Sequence, residues 1–129
     1  MIYSQKDEKW AYLGIGNIMK DYGCLVTAIA NLVGKTPDKI LLALNKGECF
    51  SYQGILSWDR AVKCLGLHKY QWLPGNSPIT KPIICETDYF APRFPQHFFI
   101  GNPDGTCDDS LDGVHKVCPY KIVSQRFLS

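Results

Sequence analysis

The chain has 129 residues, 46% of them hydrophobic and 20% charged, a balance that excludes a disordered polymer and fits one globular domain with its own core. Its formal net charge is +2, with lysines and arginines scattered among acids, so no nucleic-acid partner is implied. No apolar run reaches the roughly eighteen residues that span a bilayer, and Met1 to Asp7 lack the basic-then-apolar pattern of a secretory signal, so a cytoplasmic protein without a membrane partner is expected.

In chain order, the first twenty-odd residues carry aromatics and glycines (Tyr3, Trp10, Tyr12, Gly14, Gly16) without helical period, and read as an extended arm or loop. Gly23 to Gly34 is densely apolar, contains alanines and closes on glycine. It predicts a buried helix that begins at Cys24 and is capped by Gly34. Thr36-Pro37 sets a capping residue before a proline at the first helical position, and Gly47 stops this second helix. Ser57 to Leu65, ending at Gly66, predicts a third.

The second half changes character. Lys69–Leu73, Pro82–Thr87, His97–Ile100 and Tyr120–Phe127 are rich in aromatic or β-branched residues and are separated by Pro, Gly, Asn and Asp, so they predict strands. Asn102-Pro103-Asp104-Gly105 is a turn signal that should join two antiparallel strands. Helices first and an antiparallel sheet after them gives the α+β class.

The six cysteines are Cys24, Cys49, Cys64, Cys85, Cys107 and Cys118. With no secretory signal, and with Cys85 set in an apolar run, they are expected to be reduced thiols. Cys24 is the most informative of them. A thiol at a helix start meets unpaired N–H groups and the positive end of the helix dipole, which favour a thiolate. A buried structural cysteine is the competing reading.

His97 opens an apolar run that continues into a hairpin, which His68 and His115 do not. It is the candidate general base, provided its strand faces the helix that carries the thiol. If Asn102 to Thr106 forms the hairpin loop, Phe99 lies opposite Asp109. Asp109 then shares a face with His97 and is the candidate orienting carboxylate. A slip of one residue would exchange it for Asp108. Gln5 is a candidate oxyanion donor beside the nucleophile's own N–H, although spacing alone does not single it out.

Tyr3-Ser4-Gln5-Lys6-Asp7 with Trp10, then Gly23-Cys24-Leu25-Val26-Thr27-Ala28, Gln96-His97-Phe98 and Asp108-Asp109-Ser110 together resemble the bacteriocin-leader peptidase-like family of the papain clan, cysteine peptidase family thirty-nine. The resemblance runs over nearly the whole chain. It implies a papain-like fold, with N-terminal helices packed on an antiparallel sheet. It also implies Gln5 for the oxyanion hole, Cys24 as nucleophile, His97 as base and Asp109 as orienting acid, with no cofactor and no metal. Many relatives carry Asp-Pro where this chain has Asp109-Ser110. The ending resembles stand-alone phage and bacterial relatives, some of which act as cell-wall lysin domains. A peptide or a peptidoglycan peptide is the implied substrate, and a lysin would be released to the wall.

Three other readings stand beside this one. Cys107, His115 and Cys118, with Cys85 or His97, would make a zinc site, although the paired C-x₂-C spacing is missing. A binding module would keep the fold without turnover. An intracellular processing peptidase, an amidase or an acyltransferase would apply the same thiol chemistry to another amide.

Overall fold

The computed structural model describes residues 2–4, 7, 18–51, 55–88 and 97–129. Among the described residues, three helices precede a six-stranded antiparallel sheet, the α+β arrangement expected from the sequence. No helix among the described residues is long and apolar enough to cross a membrane.

Helix α1 spans Ile18–Val33. Its side chains Val26, Thr27, Ala28, Ile29 and Ala30 are fully buried. Its stop is the expected one: Gly34 has φ +74°, and the N–H groups of Gly34 and Lys35 both turn back to the Ala30 carbonyl. Its start is not. The helix begins six residues before Cys24, within the stretch read as loop. Gly23 lies inside the helix instead of before it: one interior glycine costs only about 1 kcal/mol, and the burial of this helix more than offsets that.

Helix α2 spans Pro37–Lys46, with Thr36 before it in the extended conformation of a cap. The Thr36 side chain makes no cap hydrogen bond, so proline at the first position and Asp38 in the first turn supply the start signal. Helix α3 spans Trp58–Cys64 and is capped by Ser57 Oγ, which accepts from the Arg60 N–H.

The strands are β1 (Tyr70–Pro74), β2 (Ile83–Thr87), β3 (His97–Gly101), β4 (Thr106–Asp108), β5 (His115–Val117) and β6 (Ser124–Leu128). They lie in the order β1-β6-β2-β3-β4-β5. The predicted strand from Tyr120 begins four residues late, at Ser124, because Pro119 and the bend after it keep Tyr120 off the ladder. Strand β5 was not anticipated, since three residues are too few to show a period.

Strands β2 and β3 are buried throughout and form the middle of the molecule. Ile84, Phe98 and Ile100 face the helices, where they join Leu25, Val26, Ile29, Ile40, Leu41 and Leu44 in the larger core cluster. Ile83, Cys85, Phe99 and Cys107 make a smaller cluster on the other side, covered by Leu73, Tyr120, Ile122 and Phe127 among others.

Candidate active site

The turn between β3 and β4 is the one expected from Asn102 to Gly105. Gly105 has φ +84°, the Asn102 N–H reaches the Thr106 carbonyl at 2.9 Å, and Asp104 Oδ1 accepts from the Thr106 N–H at 3.0 Å. It fixes the register Ile100 to Asp108 and Gly101 to Cys107, and the ladder ends there, one pair short of the expected Phe99 opposite Asp109. Asp109 leaves the strand as the first residue of the next turn. There its N–H meets the Val114 carbonyl at 3.0 Å, and its carbonyl accepts from Gly113 at 2.8 Å. Both backbone groups are pinned, so the direction of the side chain is set by the hairpin.

That side chain meets His97. Nε2 of His97 and Oδ1 of Asp109 are 2.8 Å apart, with side chains 2% and 0% exposed. Asp108 does not take this place. Its Oδ1 pairs with His115 Nδ1 at 2.6 Å near the surface.

The Asp109 carboxylate has three further donors. Oδ1 accepts from the Leu111 N–H at 3.0 Å, and Oδ2 accepts from Lys116 Nζ at 3.2 Å and the Tyr120 hydroxyl at 2.5 Å. Burial opposes its charge, but the bonds from His97, Tyr120 and Leu111 outweigh that and hold the carboxyl well below its ordinary value. Tyr120 also sets its ring edge against the imidazole, with centroids 5.3 Å apart. Sequence reasoning missed both Lys116 and Tyr120. Their one available signal was register: once Asp108 is paired with His115, Lys116 falls within reach of the same turn.

Cys24 completes the cluster from the other half of the chain. Helix α1 packs against β3, and this brings the Cys24 thiol close enough to the His97 imidazole to help raise its pKa. Strand β3 faces α1, as the base assignment requires, while alternation along it turns Phe98 and Ile100 to the helices and leaves His97 with Phe99 on the opposite face. As the first residue of its strand, His97 meets Cys24 at the end of the sheet rather than across it. Burial disfavours the imidazolium, yet the bonds to Asp109 and Cys24 prevail and raise His97 to about 9.

Two expectations for Cys24 need correction. It lies in the second turn of α1, not at the helix start. The dipole effect fades within the first turn, so the imidazole and not the helix end is what polarises this thiol. Its N–H is also directed along the helix to the carbonyl four residues back, and is not free to serve an oxyanion. Gln5, the other expected oxyanion donor, lies outside the described residues. The described residues nearest to it are tied to the site: Tyr3 is bonded through N–H and C=O to the Asn31 amide, and Ser4 Oγ donates to the Leu111 carbonyl at 2.9 Å.

All six cysteines are free thiols. Among the described residues no group of three His, Cys, Asp or Glu side chains converges as a metal site, and His115 is engaged by Asp108 instead of joining Cys107 and Cys118. Burial pushes Cys49, Cys85 and Cys107 up to about 12. In iodoacetamide labelling at about pH 6, below the pKa of a free thiol, Cys24 is therefore expected to react first and these three last. Peptide mass mapping reads the order, and labelling of Cys49 or Cys107 ahead of Cys24 would remove Cys24 as nucleophile.

Comparison of the chain with protein-family profiles, with curated proteins and with solved structures finds no match.

Proposed function

We propose that this chain is a papain-like cysteine hydrolase that cleaves a peptide amide bond, with Cys24 as nucleophile, His97 as acid and base, and Asp109 as the orienting carboxylate. The observation that carries the reading is one imidazole bonded to a buried, fully hydrogen-bonded aspartate, with a half-buried thiol close enough to help raise its pKa. An imidazole that keeps its proton up to about 9 suits a thiolate–imidazolium pair.

In the reaction the thiolate of Cys24 attacks the acyl carbon. His97 gives its proton to the leaving amine, and the acyl group stays on sulfur as a thioester. Water then attacks the thioester while His97 takes its proton, and the carboxylate product leaves. Asp109 holds the ring in one tautomer and stabilises its charge. The resemblance to bacteriocin-leader peptidase-like domains supports the same roles and adds Gln5 as oxyanion donor.

Within this class we assign a bacterial cell-wall peptide as substrate, by analogy with stand-alone lysin-like relatives. Purified protein should be offered bacterial sacculi and, separately, a panel of unfolded polypeptides. Amino groups should appear from sacculi with wild type and not with Cys24→Ala. Cleavage of the polypeptides alone would replace the lysin by a processing peptidase.

One observation favours a second reading, a binding module on the same fold. The N–H of Cys24 is held inside α1, so the backbone half of an oxyanion hole is not presented. Retention of sacculi by a protein that releases no amino groups from them or from polypeptides would select that reading.

A further inference from the structure

Cys49 and Cys64 lie 15 residues apart in the chain, yet their sulfurs are 3.3 Å apart. Neither belongs to the cluster around His97. Cys49 follows α2 and is 1% exposed, while Cys64 ends α3 and is half-buried. Cys49 is fixed by its backbone, its N–H on the Leu44 carbonyl and its carbonyl accepting from the Ser57 N–H. Gly47 points to the same pair independently. Its φ of −85° is open to any residue, so the backbone does not require glycine there. Space does: a Cβ on Gly47 would stand 2.0 Å from the Cys64 sulfur and 3.3 Å from the Cys49 sulfur. The position without a side chain is where the Cys64 sulfur sits against its partner.

We infer that Cys49 and Cys64 are a reversible redox pair, which closes to a disulfide by exchange with a low-molecular-weight disulfide such as glutathione disulfide. Cys64, the more accessible thiol, gives up its proton and attacks one sulfur of the oxidant, forming a mixed disulfide and expelling one glutathione thiolate. Cys49 loses its proton, attacks the Cys64 sulfur and expels the second glutathione. Two protein thiols become one disulfide, and one glutathione disulfide becomes two thiols. The sulfurs need to close by only about 1.3 Å to reach bonding distance. Burial pushes the Cys49 thiol up to about 12, and Arg60, whose guanidinium donates to the Glu48 carbonyl, offsets only part of that. The closed loop would hold the Phe50–Leu56 bridge and the wall of a cleft of about 380 Å³ lined by Phe50, Ile55, Leu56 and Arg60. This inference stands whether or not Cys24 is catalytic.

The test is exchange of the folded protein against graded ratios of glutathione disulfide to glutathione, with alkylation of the remaining thiols and peptide mapping. A Cys24→Ser variant is run in parallel to remove that thiol from the exchange. A Cys49–Cys64 linked peptide is expected in both proteins, with Tm higher by roughly 5 °C in the oxidised form. Cys49→Ser should instead trap Cys64 as a mixed disulfide with glutathione, and Cys64→Ser should leave Cys49 as a thiol. If Gly47→Ala misfolds, Gly47→Ala combined with Cys64→Ala should restore the fold, because the sulfur has been removed from the path of the new methyl group. Cys64 resting as a mixed disulfide beside a Cys49 thiol in wild type, or linkage of Cys107 to Cys118 without linkage of Cys49, would overturn the pair.

Discussion

His97→Ala is expected to lower turnover by roughly 10³-fold or more while the protein stays folded. The side chain touches both Cys24 and Asp109, so its loss removes the proton acceptor for the thiol and the proton donor for the leaving group together. The fold should survive because Asp109 keeps the Leu111 N–H, Lys116 and Tyr120 as donors. What remains is the cost of a cavity, about 2–3 kcal/mol. The preferential labelling of Cys24 at pH 6 should vanish in the same variant, a readout that needs no substrate. Circular dichroism checks the fold. A folded His97→Ala protein that still releases amino groups would end the proposed mechanism.

Asp109→Asn should lower turnover by about 10²–10⁴-fold and change the pH dependence of both activity and stability. His97 stands at about 9 in the folded protein, above its ordinary 6.5. Its contribution to stability is therefore complete below pH 6.5 and is lost as pH rises through about 9. By the same linkage that rise corresponds to about 3 kcal/mol. Asp109 is held below its ordinary 3.8, so its contribution is complete above pH 3.8 and is lost as pH falls below it. Wild type should gain most from the pair between pH 3.8 and 6.5. The asparagine variant should lose the alkaline part of this dependence, and the alkaline limb of kcat/KM should move from near 9 to lower pH. Denaturant titrations across pH, with initial rates, measure both. Asp108→Ala is the control: it removes a partly exposed pair with His115 and should cost no more than about 1 kcal/mol with turnover near wild type. An unchanged pH profile in Asp109→Asn, or an inactive Asp108→Ala, would mean that the wrong carboxylate has been named.

Glycine and proline made the ends of most elements legible. Gly34, Pro37, Ser57 and the Asn102–Gly105 turn each act within a few residues, and each signal stands in the sequence as it does in the structure. The meeting of Asp109 with His97 is reached by counting through that one turn. Gly23 misled for the same local reason, because burial of a whole helix decides whether an interior glycine is tolerated. Tyr120 and Lys116 carried no local signal of this kind. Lys116 reaches Asp109 from a hairpin whose strands have three residues each, too short to show a pattern, and Tyr120 from the bend that follows it. The meeting of Cys24 with His97 depends on helix docking across 73 positions of chain, which no local signal encodes.

Strand β6 is the last of the six to be synthesised, yet it lies between β1 and β2. Among the described residues, the one strand paired with β1 is β6, from Tyr70 with Leu128 to Pro74 with Ser124. On a ribosome adding about 5–20 residues per second, β1 would wait roughly 3–10 s for that neighbour. Strands β2, β3 and β4 can pair before it arrives, so the imidazole and the carboxylate can meet while β1 still offers an open edge with Trp72 exposed. Translation speed over the last third of the chain therefore sets how long a nascent molecule carries this sticky edge. Slowing the codons there should lower the yield of properly folded protein without changing a single amino acid.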